Sequence, residues 1–478
     1  MASGSRERSR IMLALDDTIA AVATPVGEGG IGIVRLSGPL AGAILTRLFS
    51  HGSQGRHSDS KCPDARRISY GHVCDPDTHE QVDEVLTVFM PAPHTYTRQD
   101  VAEIHCHGGV VALRRTIGLA LRCGARLAQP GEFTLRAFLN GRIDLAQAEA
   151  VLDIVHARTE AALRIAEGQL EGRMSQPVRQ VRRALLDLLA SLEASLDFPE
   201  EEIGPPMEGE SPAPDLAAAL EDASRQLVSL LSQADEGMMY RQGARAVIVG
   251  RPNVGKSSLL NALLHYDRAI VTPIPGTTRD TVEETLNLSG VPFCLVDTAG
   301  IVPSQDPVER MGIERSRRAI DGADVVLFVL NGSEPLRSED CDLADIIRNR
   351  PRVVVVNKSD LPQMLDDATL LPEAAHIHVS ALLGTGLAEL EQALVRVVLQ
   401  RNAQTSDLPL VSNPRHREVL RRALASVGRA IEGAGGGVPD ELLAVDLTAA
   451  VSALGEITGE SVGEDVLATI FSSFCVGK

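Results

Sequence analysis

AVIVGRPNVGKSS, Ala246 to Ser258, runs from a short apolar segment into Gly250, passes four variable residues and closes on Gly255-Lys256-Ser257. This is the pattern of a phosphate-binding loop between a strand and a helix. Its glycines let the backbone wrap until N–H groups face phosphate oxygens, Lys256 adds a point charge at the β/γ-phosphates, and Ser257 offers a hydroxyl to Mg²⁺. Asn253, Val254 and Ser258 complete the loop. The following KSSLLNALL reads as a helix whose positive end meets the same anion.

Strands and helices alternate from Ala246 to about Gln400, which reads as an α/β domain. Four further motifs follow the loop in the order a Ras-like GTPase requires. PGTTRD (275–280) offers Thr278 as a γ-phosphate and Mg²⁺ sensor. FCLVDTAG (293–300) ends an apolar strand at Asp297, where a carboxylate holds the magnesium shell through water, and continues with Thr298, Ala299 and Gly300. RVVVVNKSD (352–360) supplies Asn357, Lys358 and Asp360, and HIHVSAL (376–382) supplies Ser380 and Ala381. A carboxylate accepts from the guanine N1–H and exocyclic amine, which adenine cannot match, so the pattern selects GTP. Ile301 stands where small signalling GTPases carry a water-orienting glutamine. Glu309 is a candidate for that work, although its residues alone favour an exposed helical acid.

The chain has 478 residues, 44% of them hydrophobic, enough for about three domains with ordinary cores. A formal net charge of −18 argues against non-specific nucleic-acid or membrane binding, so any RNA contact must come from local basic patches. Seven scattered cysteines without a C-x-x-C pair suit a reducing cytoplasm. The opening MASGSRERSR, followed by a short apolar run, reads as a disordered start at 1–16 and not as a signal peptide or membrane span.

An α+β domain follows at 17–130. Gly27, Gly29 and Gly32 match G-x-G-x-x-G, but Ile31 to Leu36 reads as a strand and not a helix, so the dinucleotide reading is rejected for a glycine hairpin. QVDEVLTVFM (81–90) and VAEIHC (101–106) read as strands, and 109–123 as a helix closed by Gly124. His105, Cys106 and His107 lie on alternating faces, a poor metal set. Amphipathic helices fill 131–242, among them a stripe of Val181, Leu185, Leu188, Leu192 and Leu196, and a helix from Asp215 expected to end at Gly237. The α/β unit spans 243–402. Helical periodicity returns over 403–478, so the α/β unit reads as an insertion in a helical domain.

The whole chain resembles the MnmE (TrmE) family, GTPases of tRNA wobble-uridine modification. The resemblance is carried by DTIAAVATPVGEGGIGIVRLSGP (17–39), PGEFTLRAFLNGRIDLAQAEA (130–150), LDFPEEEI (196–203), the GTPase motifs and the terminal FSSFCVGK. It implies an N-terminal domain that forms a homodimer and binds a 5-formyl- or 5,10-methylene-tetrahydrofolate through Arg35, Glu103, Arg142 and Lys478. It implies K⁺ at Asn253, Thr272, Ile274 and Thr277, Mg²⁺ at Ser257 and Thr278, and Glu309 as the water-orienting acid. Cys475 falls on the family cysteine needed for modification but not for hydrolysis; read by itself, it is a small buried hydrophobe. The implied function is a K⁺-stimulated GTPase that works with an FAD-containing MnmG-type partner to install an aminomethyl-type or carboxymethylaminomethyl group at C5 of the wobble uridine. A stand-alone regulatory or ribosome-assembly GTPase is the alternative. Departures from the family pattern stand at Glu28, at Val302-Pro303 and at Arg142, where lysine is frequent.

Overall fold

The structure, a computed structural model, describes residues 16–25, 27–51, 62–197, 216–266, 283–297, 319–365, 370–399 and 411–477. Its contacts divide the chain into two compact units, Met1–Leu152 with Gly455–Lys478, and Asp153–Leu454.

In the first unit, β1 (Ile19–Val22), β2 (Gly29–Ser37), β3 (Phe49–Ser50), β4 (Ile68–Cys74), β5 (Gln81–Met90), β6 (Val101–Gly108) and β7 (Arg126–Leu127) form one sheet. Its order is β3-β4-β5-β6-β2-β1-β7, antiparallel except between β1 and β7. The strand period of two sends Val34, Leu36, Ala102, Ile104 and Cys106 to a buried face that also holds side chains of the helices Ala41–Leu48 and Val110–Arg122. Arg35, Glu103 and His105 therefore share the other face. The glycine pattern at 27–32 leads into β2, as the hairpin reading requires, and β1 and β2 pair antiparallel. Gly131, at φ +70, leaves room for the Phe471 carbonyl only 2.6 Å from where a Cβ would sit. That close approach belongs to a core in which Phe471 and Phe474 pack with Leu135, Ala137, Leu145 and Ala148.

The second unit holds β8 (Ala244–Val249), β9 (Glu283–Leu288), β10 (Val291–Asp297), β11 (Val325–Asn331), β12 (Arg352–Asn357) and β13 (Ala375–His378). Their order is β13-β12-β11-β8-β10-β9, parallel except for β9 against β10. Runs such as VVLFVLN and RVVVVN are buried on both faces, the pattern of a strand covered on two sides. Ala246, Ile248, Leu327 and Val355 meet Leu259, Leu263, Leu390 and Leu394 on one face. Val247, Val249, Phe328 and Val354 meet Leu343, Ala344 and Ile347 on the other. This is a doubly wound P-loop fold, with its functional loops at the carboxyl ends of the strands.

The helices Ser175–Asp197, Leu216–Ser232, Ala234–Gln242 and Pro414–Gly436 surround that insertion in sequence. Asn413 caps the last of them, its side chain accepting the Arg415 N–H at 2.9 Å, with Pro414 in the first turn. One expectation is corrected. The helix expected to end at Gly237 ends at Ser232, and Gly237 sits inside the next, which stops at Gly243 with φ +84. Gly237 is there for packing, because an added Cβ would lie 1.9 Å from the Val411 carbonyl oxygen.

Candidate functional site

The phosphate loop leaves β8 at Gly250 and enters the helix Lys256–Tyr266, which Ser257 and Ser258 help to open. Two glycines have a steric reason. A Cβ on Gly250 would lie 2.4 Å from the Val329 carbonyl, and one on Gly255, at φ +98, would lie 2.2 Å from Asn357 Nδ2. The loop is thus held against β11 and Asn357 too closely for a side chain at either position. Asn253 adopts φ 64, a left-handed conformation that asparagine tolerates better than most residues. Lys256 is buried and its Nζ donates to the Gly250 carbonyl at 2.9 Å and the Arg251 carbonyl at 2.8 Å.

The residues expected to read the base converge on the same loop. Asn357, the last residue of β12, donates from Nδ2 to the buried Val254 at its carbonyl, 2.9 Å away, and accepts the Ala381 N–H at Oδ1, 3.1 Å. Ser380 donates its hydroxyl to Asp360 Oδ1 at 2.6 Å while accepting the Leu383 N–H at 3.1 Å. Asp360 is thereby oriented, and its remaining acceptor capacity suits the paired donors of guanine. Lys358 turns the chain between them at φ 65. Asp297 closes β10 opposite Ile248 of β8, beside the loop, and only its backbone is described. Thr272, Ile274, Thr277, Thr278, Thr298, Ala299, Gly300, Glu309 and Lys478 lie outside the described residues.

The first unit holds a second constellation. Arg35 and Glu103 are direct partners across β2 and β6, with Arg35 Nε donating to Glu103 Oε1 at 2.8 Å. Glu103 Oε2 lies 3.2 Å from His105 Nε2. Arg35 Nη1 reaches the Gly477 carbonyl at 3.2 Å, so the chain's last described residue joins the cluster. The Arg142 guanidinium stacks over the Tyr96 ring, 4.7 Å from its centroid, and Tyr96 shares a 2.9 Å hydrogen bond with Thr134. Burial pushes the Tyr96 phenol up, against the opposing effects of Thr134 and of the charges on Arg142 and Arg35. Arg142 thus stacks on Tyr96, whose phenol also feels the Arg35 charge, while the Arg35 guanidinium stands over the Phe133 ring, 5.9 Å from its centroid. Guanidinium groups that can pair with carboxylates, one acid that can accept ring N–H groups and a stacking surface fit a pterin with a glutamate tail. Sequence reading did not foresee Tyr96 beneath Arg142 or His105 beside Glu103.

Cys475 is exposed, and its carbonyl accepts the Gly131 N–H at 3.4 Å. The small buried hydrophobe expected from the residue by itself is not found. Phe471 and Phe474 do the burying in this segment, and the thiol faces outward. His105, Cys106 and His107 go to separate partners, Glu103, Thr116 and Asp83. Among the described residues no helix is long and apolar enough to cross a membrane.

Known families match both parts of the chain. The model described as GTP-binding protein TrmE N-terminus matches residues 18–142, and that described as MnmE helical domain matches 145–475. A tRNA modification GTPase MnmE of Chloroflexus aurantiacus is 51% identical over 467 residues, covering 97% of this chain and 100% of the relative. One of Roseiflexus castenholzii is 50% identical over 480 residues, covering 97% and 99%. Among solved structures, Aquifex aeolicus Era bound to GDP and aluminium fluoride is 30% identical over 38% of this chain and 66% of its own, with a TM-score of 0.28.

Proposed function

Since the chain belongs to the MnmE family of tRNA modification GTPases, we propose that it hydrolyses GTP in the course of adding an aminomethyl-type or carboxymethylaminomethyl group to C5 of the wobble uridine of tRNA. The observation that carries the nucleotide half of this reading is Asn357, which ties the phosphate loop at Val254 to the base-reading loop at Ala381. The two ends of a guanine nucleotide are thereby recognised by one connected framework. Lys256 supplies positive charge at the phosphates and Asp360 discriminates the base. Glu309 orients the attacking water. Ser257 and Thr278 would hold Mg²⁺, and Asn253, Thr272, Ile274 and Thr277 would hold K⁺, and these cations would offset the negative charge that builds up on the phosphates in the transition state.

The modification half rests on the Arg35, Glu103, Arg142 and Tyr96 cluster, which holds a tetrahydrofolate as the source of the one-carbon unit. An FAD-containing MnmG-type protein is the partner, and the domains divide as folate-binding, helical and inserted GTPase. A second copy of the chain covers the sheet face that carries Arg35. That face exposes Ile68, Tyr70 and Leu86, aligned in register with Glu103 and His105. An apolar stripe of this kind is a natural interface.

GTP and ATP titrations, followed by hydrolysis in K⁺ and in Na⁺, test the nucleotide half. The reading expects GTP binding with no measurable ATP competition, and slower hydrolysis in Na⁺ at unchanged GTP affinity. Equal binding of ATP, or equal rates in the two salts, contradicts it.

A further inference from the structure

Arg251 follows the first glycine of the phosphate loop, a position the sequence motif leaves variable, yet it is only 6% exposed. Its Nε donates to Asp340 Oδ1 at 2.8 Å, across 89 residues of sequence. Asp340 is itself 1% exposed and belongs to the first turn of the helix Ser338–Ile347. The other oxygen of Asp340 accepts the Arg337 backbone N–H at 3.1 Å, so this carboxylate caps the helix and grips the loop at once. The helix is anchored in turn by Leu343, Ala344 and Ile347 against the sheet. Glu334 adds a second acid 3.6 Å from Arg251 and receives an N–H of Asn331, the last residue of β11, at 2.7 Å.

On the inner side of the loop, the Arg251 carbonyl accepts Lys256 Nζ at 2.8 Å. A continuous set of contacts therefore runs from the helix through Asp340 and Arg251 to the ammonium that meets the phosphates. The buried guanidinium is compensated by acids, so its charge is directed away from the nucleotide. What remains for it is mechanical.

We propose that Arg251 and Asp340 are positioning residues for the phosphate loop, their ion pair fixing the 250–256 backbone and with it the Lys256 ammonium. The inference rests on reading 250–258 as the phosphate site. A positioning pair acts on nucleotide affinity and turnover far below the melting temperature, because misplacement by about 1 Å can cost about 10²-fold. A pair that only stabilises the domain acts on melting alone.

Titration with GDP and single-turnover hydrolysis of GTP, on the full chain with the nucleotide-free melting temperature measured alongside, separate the two. Asp340→Asn keeps an oxygen for the helix cap but turns an amide towards Arg251, and is expected to weaken GDP and GTP by about tenfold or more. Arg251→Met should do the same, and Arg251→Lys, which retains the charge, should recover most of the loss. If Arg251→Met does not fold, the milder Asp340→Asn still decides the matter. Affinities and rates equal to wild type, whether or not the melting temperature falls, overturn the inference. Wild-type protein that binds no guanine nucleotide instead overturns the functional reading beneath it.

Discussion

Arg35 and Glu103 lie directly opposite one another on neighbouring antiparallel strands, 68 residues apart in sequence, with a 2.8 Å bond between guanidinium and carboxylate. The larger apolar core lies on the opposite face, while on their own face Ile19, Ala21 and Phe133 form a smaller cluster beside Arg35. Arg35→Ala or Glu103→Ala should weaken 5-formyltetrahydrofolate by about 10- to 100-fold, the range for losing a charge-assisted hydrogen bond. Fluorescence titration of the purified protein checks this. Wild-type affinity in both variants would remove the folate assignment from this cluster.

Asp360→Asn replaces an acceptor with a donor where Ser380 already fixes the geometry. GTP affinity should fall by several kcal/mol and xanthine nucleotide should improve, because its C2 carbonyl needs a donor. Parallel titrations read the switch. An unchanged preference for GTP would sink the guanine-site assignment.

Asp17, Arg126, Glu132 and Arg136 form a network in the first unit, with Arg126 Nη2 2.7 Å and Arg136 Nη2 3.0 Å from Glu132 Oε1. Burial raises both carboxyls, but the guanidinium bonds outweigh it and hold both below their ordinary values of 3.8 and 4.5. Because the folded values are depressed, the stabilisation is complete above the ordinary values and is lost as pH falls below them. The melting temperature should drop through that acidic window, and Glu132→Gln should flatten the drop. Arg136→Met leaves Glu132 with fewer partners in a buried site and should cost about 3 kcal/mol near neutral pH. Calorimetry against pH measures both.

Gly237→Ala places a methyl against the Val411 carbonyl. The helix must shift to admit it, at a cost of about 1–3 kcal/mol despite the better helix propensity of alanine. Urea denaturation checks it; an unchanged midpoint would show that the contact yields freely.

The elements with a continuous apolar run or a fixed motif were legible. VVLFVLN and RVVVVN announce strands covered on two faces, and the phosphate loop and its companion motifs announce their chemistry through fixed spacing. The short edge strands Phe49–Ser50 and Arg126–Leu127 were not, because two residues carry no period. Gly237 was misread because a packing glycine and a terminating glycine look alike until the Val411 carbonyl is placed. Tyr96 under Arg142 and Asp340 against Arg251 were hidden for a further reason: each pair is made by topology, and neither partner belongs to the other's motif.

The central claim, that the GTPase and the exposed C-terminal thiol serve one tRNA modification, is tested most directly by nucleoside mass spectrometry of tRNA. Cells lacking the protein are supplied with the wild-type chain, Lys256→Ala or Cys475→Ser, and GTP hydrolysis by each purified protein is measured alongside. Cys475→Ser trades a soft thiol for a hydroxyl of much higher pKa with little change in volume. The C5-modified wobble uridine should be present with wild type and absent with both variants, while Cys475→Ser hydrolyses GTP normally. A normal modified-nucleoside profile with Cys475→Ser, or a complete one in cells without the protein, would contradict the account.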